Sequence, residues 1–76
     1  MKLTSKLLNQ NREVITKEKV IADDCTMSQA FVMIEAWCND NNAIYPNTYN
    51  IWKDKGYIRV NITTKDLKYT NVFYIK

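Results

Sequence analysis

The stretch YNIWKDKGYIRVNI, residues 49–62, contains the only glycine of a 76-residue chain and one of its two tryptophans. After Gly56 apolar and polar residues alternate, and the apolar positions are Ile58, Val60 and Ile62. This period of two is typical of a β-strand with one buried face. A second strand before the glycine predicts a hairpin, in which Gly56 supplies a positive φ angle for the turn.

Burial of apolar side chains predicts the register of this hairpin. A four-residue loop at 53–56 places Trp52 opposite Tyr57. Tyr49 and Ile51 then face the core together with the apolar residues of the second strand. Trp52 and Tyr57 therefore face away from the core.

A second hairpin follows, with a turn near residues 65–66 and a last strand from Tyr69 to Ile75. A two-residue loop there places Asn71 on the core side. The pairs expected from this register are Phe73 with Ile58 on the core side, and Tyr74 with Tyr57 and Val72 with Arg59 on the outer side.

The stretch TMSQAFVMIEAWCNDN, residues 26–41, has the periodicity of an amphipathic helix. Its apolar positions recur at spacings of three and four residues: Met27, Ala30, Phe31, Ile34, Trp37 and Cys38. Thr26 and Gln29 have the spacing of a capping box, which predicts the first turn of the helix. Asn41 and Asn42 follow the stripe and favour a left-handed C-terminal turn.

The first 22 residues are consistent with two kinds of structure. LTSKLL and EVITKEKVIA are rich in β-branched residues and predict two strands joined by a turn near residues 9–11. A helix through Leu3, Leu7 and Leu8 is the alternative. With strands, the chain is a single domain over residues 1–76 of the α+β class, with element order β-β-α-β-β-β and one helix packed on one face of a small antiparallel sheet.

The composition argues against most enzymes. The chain has no histidine and therefore lacks the usual general base near neutral pH. Cys25 and Cys38 lie at opposite ends of the predicted helix, about 20 Å apart at ~1.5 Å per residue, so they cannot form a disulfide with each other. Asp23 and Asp24 precede the helix, where aspartate is common for capping. We expect a protein that is not an enzyme and that uses no cofactor and no metal.

The location expected from the sequence is the cytoplasm. No apolar run approaches the ~20 residues that cross a bilayer, and Lys6 interrupts the leucines near the start. Two buried free thiols fit a reducing compartment.

The outer face of the three C-terminal strands is the candidate binding surface. One helix covers only one face of a sheet, so aromatic rings on the other face are exposed unless residues 1–22 fold over them. Aromatic and arginine side chains are common at the centres of protein interfaces. The candidate partner-binding residues are Trp52, Tyr57, Arg59, Tyr74, Lys53, Lys55, Lys68 and Asn50.

The segment VIADDCTMSQA, residues 20–30, leads from a strand into the helix, and three antiparallel strands follow. Over residues 20–76 this layout resembles that of small phage-encoded anti-CRISPR and other anti-defence proteins. The resemblance implies a stoichiometric inhibitor that binds a bacterial defence complex and blocks nucleic-acid access. It assigns no functional residue to this chain.

We therefore expect a small non-enzymatic binding protein, an inhibitor that docks on a host protein complex in the host cytoplasm, as a monomer or a homodimer. The alternative is a single-stranded nucleic-acid-binding domain that stacks bases on the same aromatic residues. A third interpretation uses the acidic helix segment as a phosphate mimic, with Asp23, Asp24, Glu35 and Asp40.

Overall fold

The strands and the helix follow the predicted order in the computed structural model, which describes residues 1–45, 51–54 and 56–76. The elements are β1 (Leu3–Asn9), β2 (Val14–Ala22), α1 (Met27–Asp40), β3 (Ile51–Asp54), β4 (Tyr57–Thr63) and β5 (Tyr69–Ile75). The strands form one sheet of order β2-β1-β5-β4-β3, and every pairing is antiparallel. The α+β class is therefore confirmed.

The first 22 residues form a β-hairpin and not a helix. Asn9 organises the turn, because its Oδ1 accepts hydrogen bonds from the backbone N–H groups of Asn11 and Glu13. Arg12 completes the turn with a φ of 64°. β1 then pairs along its whole length with β5, from Leu3 opposite Ile75 to Asn9 opposite Tyr69. The hairpin thus extends the sheet sideways.

The helix begins and ends as the sequence predicts. The Thr26 hydroxyl accepts from the Gln29 N–H, and the Gln29 side chain accepts from the Thr26 N–H, which completes the capping box. At the other end Asn41 donates from its backbone and from its side chain to the Trp37 carbonyl. Asn42 follows with a left-handed φ of 52°.

The core lies between α1 and one face of the sheet, here called the helix side. The helix contributes Ala30, Ile34 and Cys38, and the sheet contributes Leu3, Val60, Ile62, Phe73 and Ile75. Cys25 and Cys38 are both buried and free, as expected. Asn71 is also buried on this side, because Phe73 and Ile75 of the same strand face the helix.

The predicted register of the β3–β4 hairpin is wrong. Trp52 pairs with Arg59 instead of Tyr57, and Asp54 takes the place opposite Tyr57. Residues 53 and 54 were expected in the loop, but they belong to β3. β3 is an edge strand, and a charged residue such as Lys53 is well tolerated at the edge of a sheet. The shift is an even number of residues, so Trp52, Tyr57 and Arg59 keep their predicted face. Gly56 has the expected positive φ, 76°.

The predicted register of the β4–β5 hairpin is wrong in the same way. The loop is longer than two residues, because the Asp66 carboxylate accepts from the Thr64 hydroxyl and the Lys68 N–H, and Leu67 adopts a φ of 64°. The observed pairs are Tyr74 with Arg59, Phe73 with Val60 and Val72 with Asn61. The faces are again preserved, and the core-side position expected for Tyr49 lies outside the described residues.

Glu18 joins three strands on the face opposite the helix. Its carboxylate accepts from the Thr4 hydroxyl of β1 at 2.8 Å and from Lys76 Nζ, just beyond β5, at 2.8 Å. These two hydrogen bonds lower the pKa of Glu18 below its usual value of 4.5, and the bond from Lys76 has the larger effect. The bond from Glu18 raises the pKa of Lys76. This clamp attaches β2 to the rest of the sheet.

Gly56→Ala should destabilise the protein through backbone strain alone. No atom lies within 4 Å of the Cβ that alanine would add, but the left-handed φ of 76° remains. We expect a loss of about 1–2 kcal/mol in the free energy of unfolding, measured by urea denaturation. Gly56→Asn is the matched control, and it should lose less because asparagine tolerates this conformation. Equal stability of the alanine variant and the parent would contradict the assigned turn.

Glu18→Gln should change how stability depends on pH. A lowered pKa means that the stabilisation by Glu18 is present above its unfolded-state pKa and is lost as the pH falls through the folded-state pKa. Because the pKa of Lys76 is raised, the stabilisation that Lys76 contributes is lost as the pH rises through its folded-state pKa. The stability difference between parent and variant should therefore be largest between about pH 6 and 9 and shrink at both ends. Thr4→Val removes the hydroxyl that donates to Glu18, with little change in shape. It should reduce the loss of stability at acid pH and leave the change at alkaline pH as it is in the parent.

Candidate functional site

A row of directly opposed residues crosses the outer face of the sheet, which is the face away from α1. In strand order the row is Trp52, Arg59, Tyr74, Thr4 and Val20. Opposed residues in antiparallel strands project from the same face with Cβ atoms about 5 Å apart. At ~4.8 Å between strands, the row is about 19 Å wide. We use the name outer-face cluster for the aromatic and cationic residues in the row and next to it. They are Lys6, Trp52, Tyr57, Arg59, Tyr74 and Lys76.

Trp52 and Arg59 form a cross-strand contact within the cluster. The Arg59 guanidinium carbon lies 4.8 Å from the centre of the Trp52 ring, which is cation–π geometry. Trp52 remains 38% exposed although Arg59 lies over it. The cross-strand pairing of these two residues explains the contact, because it places both side chains on one face. An indole and a planar cation are thus presented together to solvent.

Tyr74 lies at the centre of the cluster. Lys6 Nζ lies 5.5 Å and Lys76 Nζ 5.3 Å from the centre of its ring. Tyr57 meets the same ring edge to face, with ring centres 5.6 Å apart. Glu18 binds Lys76 and neutralises part of this charge. Lys6, Arg59 and Lys76 therefore give the cluster three cations, and the Glu18 carboxylate adjoins them.

Two polar atoms on this face are buried and have no hydrogen-bond partner among the described residues. They are Nε of Arg59 and Oδ1 of Asn61. Arg59 therefore presents a partly desolvated positive charge, and such a group gains from a carboxylate supplied by another molecule.

The structure brings together only part of the predicted site. Trp52, Tyr57, Arg59 and Tyr74 share the outer face, as expected. Lys53 lies within β3 opposite Ile58, and strand alternation places it on the helix side. Lys68 follows Asp66 in the β4–β5 loop, at the opposite end of the strands from Trp52 and Tyr57. Asn50 and Lys55 lie outside the described residues.

Sequence reasoning missed Lys6 and Lys76 as members of the cluster. Strand alternation from Tyr74 would have placed Lys76 on the same face. Lys6 gave no local signal, because its position depends on the pairing of β1 with β5 across most of the chain.

The described residues give no indication of a metal centre or of a reactive thiol. Across residues 1–45, 51–54 and 56–76, no group of three or more potential ligands is placed to bind a metal ion. Burial is the main cause and the charge of Glu35 the second cause of a raised pKa of the Cys38 thiol. A thiol with a raised pKa is a poor nucleophile. The acidic residues proposed as phosphate mimics, Asp23, Asp24, Glu35 and Asp40, are all exposed.

The described ranges contain no helix with the length and apolar character needed to cross a membrane. Comparison of the chain with protein-family models, with curated proteins and with solved structures gave no match.

Proposed function

We propose that this chain is a non-enzymatic binding protein that docks on an acidic patch of a partner protein through the outer-face cluster. The observation that carries the proposal is the Arg59 guanidinium, which lies over the exposed Trp52 ring and whose buried Nε has no hydrogen-bond partner among the described residues. Tryptophan and arginine are enriched among the residues that dominate protein–protein affinity. A carboxylate of the partner would pair with Arg59 while an apolar group covers Trp52.

The positions of the cations favour a protein partner over stacked bases. Arg59 lies over Trp52, and Lys6 and Lys76 both lie over Tyr74. A base that stacks on either ring would have to displace these side chains. A carboxylate would instead approach the cations from the solvent side and leave the cation–π contacts in place.

The size of the surface limits the affinity that the rings alone provide. If the three rings bury roughly 400 Å² of apolar area, the gross gain is about 10 kcal/mol at ~25 cal/mol per Å². Association itself costs an estimated 4–15 kcal/mol. Ion pairs with Lys6 and Arg59 are therefore needed for stable binding, and they determine which partner is accepted.

The class of partner that we propose is a host protein complex, with this chain acting as its stoichiometric inhibitor in the host cytoplasm. The support is the likeness of element order to small phage-encoded anti-CRISPR and anti-defence proteins. An inhibitor of this kind needs an exposed docking face and no catalytic group, and the outer-face cluster meets the first requirement.

Single-stranded nucleic-acid binding is the second candidate function. The observation in its favour is that three aromatic rings and three cations share one sheet face, which is the arrangement of stacking platforms. This candidate places nucleic-acid phosphates where the first places partner carboxylates.

The proposal is tested by capture from a bacterial lysate with and without nuclease, followed by affinity measurement with the purified partner. Arg59→Ala and Trp52→Ala should each weaken binding by about 30-fold or more, as expected for residues at the centre of an interface. Arg59→Lys should lie between Arg59→Ala and the parent, because it keeps the charge and loses the planar group.

Matched controls lie at the far end of the sheet, where Lys68→Ala and Tyr69→Ala remove an exposed cation and an exposed ring. Both should bind the partner as the parent does, and urea denaturation should show all variants folded. Binding that is lost on nuclease treatment, or that falls steeply with salt for an added single strand, would favour the second candidate. Unchanged affinity of folded Arg59→Ala would contradict the proposal.

A further inference from the structure

A groove of about 410 Å³ lies on the helix side of the sheet, between α1 and β2. It exists because α1 packs over the centre of the sheet, while the residues of β2 from Val14 to Ile21 remain exposed. Ligand pockets commonly have volumes of about 300–1,000 Å³. This helix-side groove is separate from the outer-face cluster, so the inference does not depend on the proposed function.

The floor of the helix-side groove contains two polar residues in an otherwise apolar layer. Ser5 is 3% exposed and Asn71 is 5% exposed. The Asn71 amide oxygen has no hydrogen-bond partner among the described residues. Leucine at this position would fill similar space without burying an unpaired amide. The polar floor therefore supplies a hydrogen-bonding group that the fold itself does not use.

The walls of the groove combine apolar and aromatic side chains with four polar ones, which are Thr16, Lys19, Asp40 and Asn41. Trp37 lines one wall and meets Phe73 edge to face, with ring centres 5.9 Å apart. Met33 extends the helix wall, and Ile21 lines the opposite wall on β2. These side chains suit a flat apolar body. A polar group of the ligand would therefore bind at the floor of the groove.

We propose that the helix-side groove binds a small aromatic molecule that donates an N–H or O–H hydrogen bond to the Asn71 amide. The amide oxygen is shielded from water, but the Asn71 side chain lines the groove, and rotation about its soft χ2 torsion brings the oxygen to a ligand. An extended peptide is a poorer occupant, because register shifts interrupt the pairing of β2 with β1 and bulged edges resist strand addition.

The test uses two probes of nearly equal shape, 2-naphthol and 2-methoxynaphthalene, of which only the first has an O–H donor. Each is titrated into ¹⁵N-labelled protein and followed by the two indole N–H signals and the Asn71 side-chain amide signal. Saturable shifts are expected for Trp37 and Asn71 and not for Trp52, which lies on the other face of the sheet. The methoxy probe should bind roughly fivefold to tenfold more weakly, the effect of one neutral hydrogen bond.

Asn71→Leu should remove the difference between the probes, and urea denaturation should show it to be at least as stable as the parent without ligand. Ala36→Phe is a second variant outside the core, on the exposed part of the groove wall. It should block both probes even if Asn71→Leu does not fold. Absence of saturable binding, equal affinities of the two probes for the parent, or shifts centred on Trp52 would each overturn the proposal.

Discussion

The pairing of β1 with β5 is the constraint on which the rest of the structure depends. Seven consecutive residue pairs, from Leu3 with Ile75 to Asn9 with Tyr69, place the N-terminal hairpin in the plane of the sheet. With the hairpin in that plane, the single described helix covers one face and the other face stays open. The same pairing brings Lys6 to Tyr74 and Glu18 to Lys76. Fold and candidate surface thus share one cause.

The two faces of the sheet differ in chemistry because strand alternation separates them. The helix side forms the core and the groove, and its buried polar residues include Ser5 and Asn71. The outer face combines aromatic rings with cations that lie over them. A small domain thereby presents two chemically distinct surfaces, one that we propose for a protein partner and one that we propose for a small molecule.

Most of the fold was predictable from the sequence because periodicity and capping are local. The period of two assigned each residue of β4 and β5 to its correct face, and Thr26 with Gln29 located the start of α1. The registers were not predictable, because a shift by two residues preserves every face. In the β4–β5 hairpin the register depends on how Asp66 closes the loop. The position of Lys6 depends on the pairing of β1 with β5, which are far apart in the sequence.

The account requires that the Trp52 ring contacts β4 and not the N-terminal hairpin. Nuclear Overhauser effects in a ¹⁵N,¹³C-labelled sample test this directly. We expect contacts from the Trp52 ring to the Arg59 side chain, together with cross-strand contacts between β1 and β5 such as Ser5 with Phe73. Contacts from residues 1–22 to the faces of the Trp52 and Tyr57 rings, without the β1–β5 set, would show that the hairpin covers the outer face, and the account would be wrong.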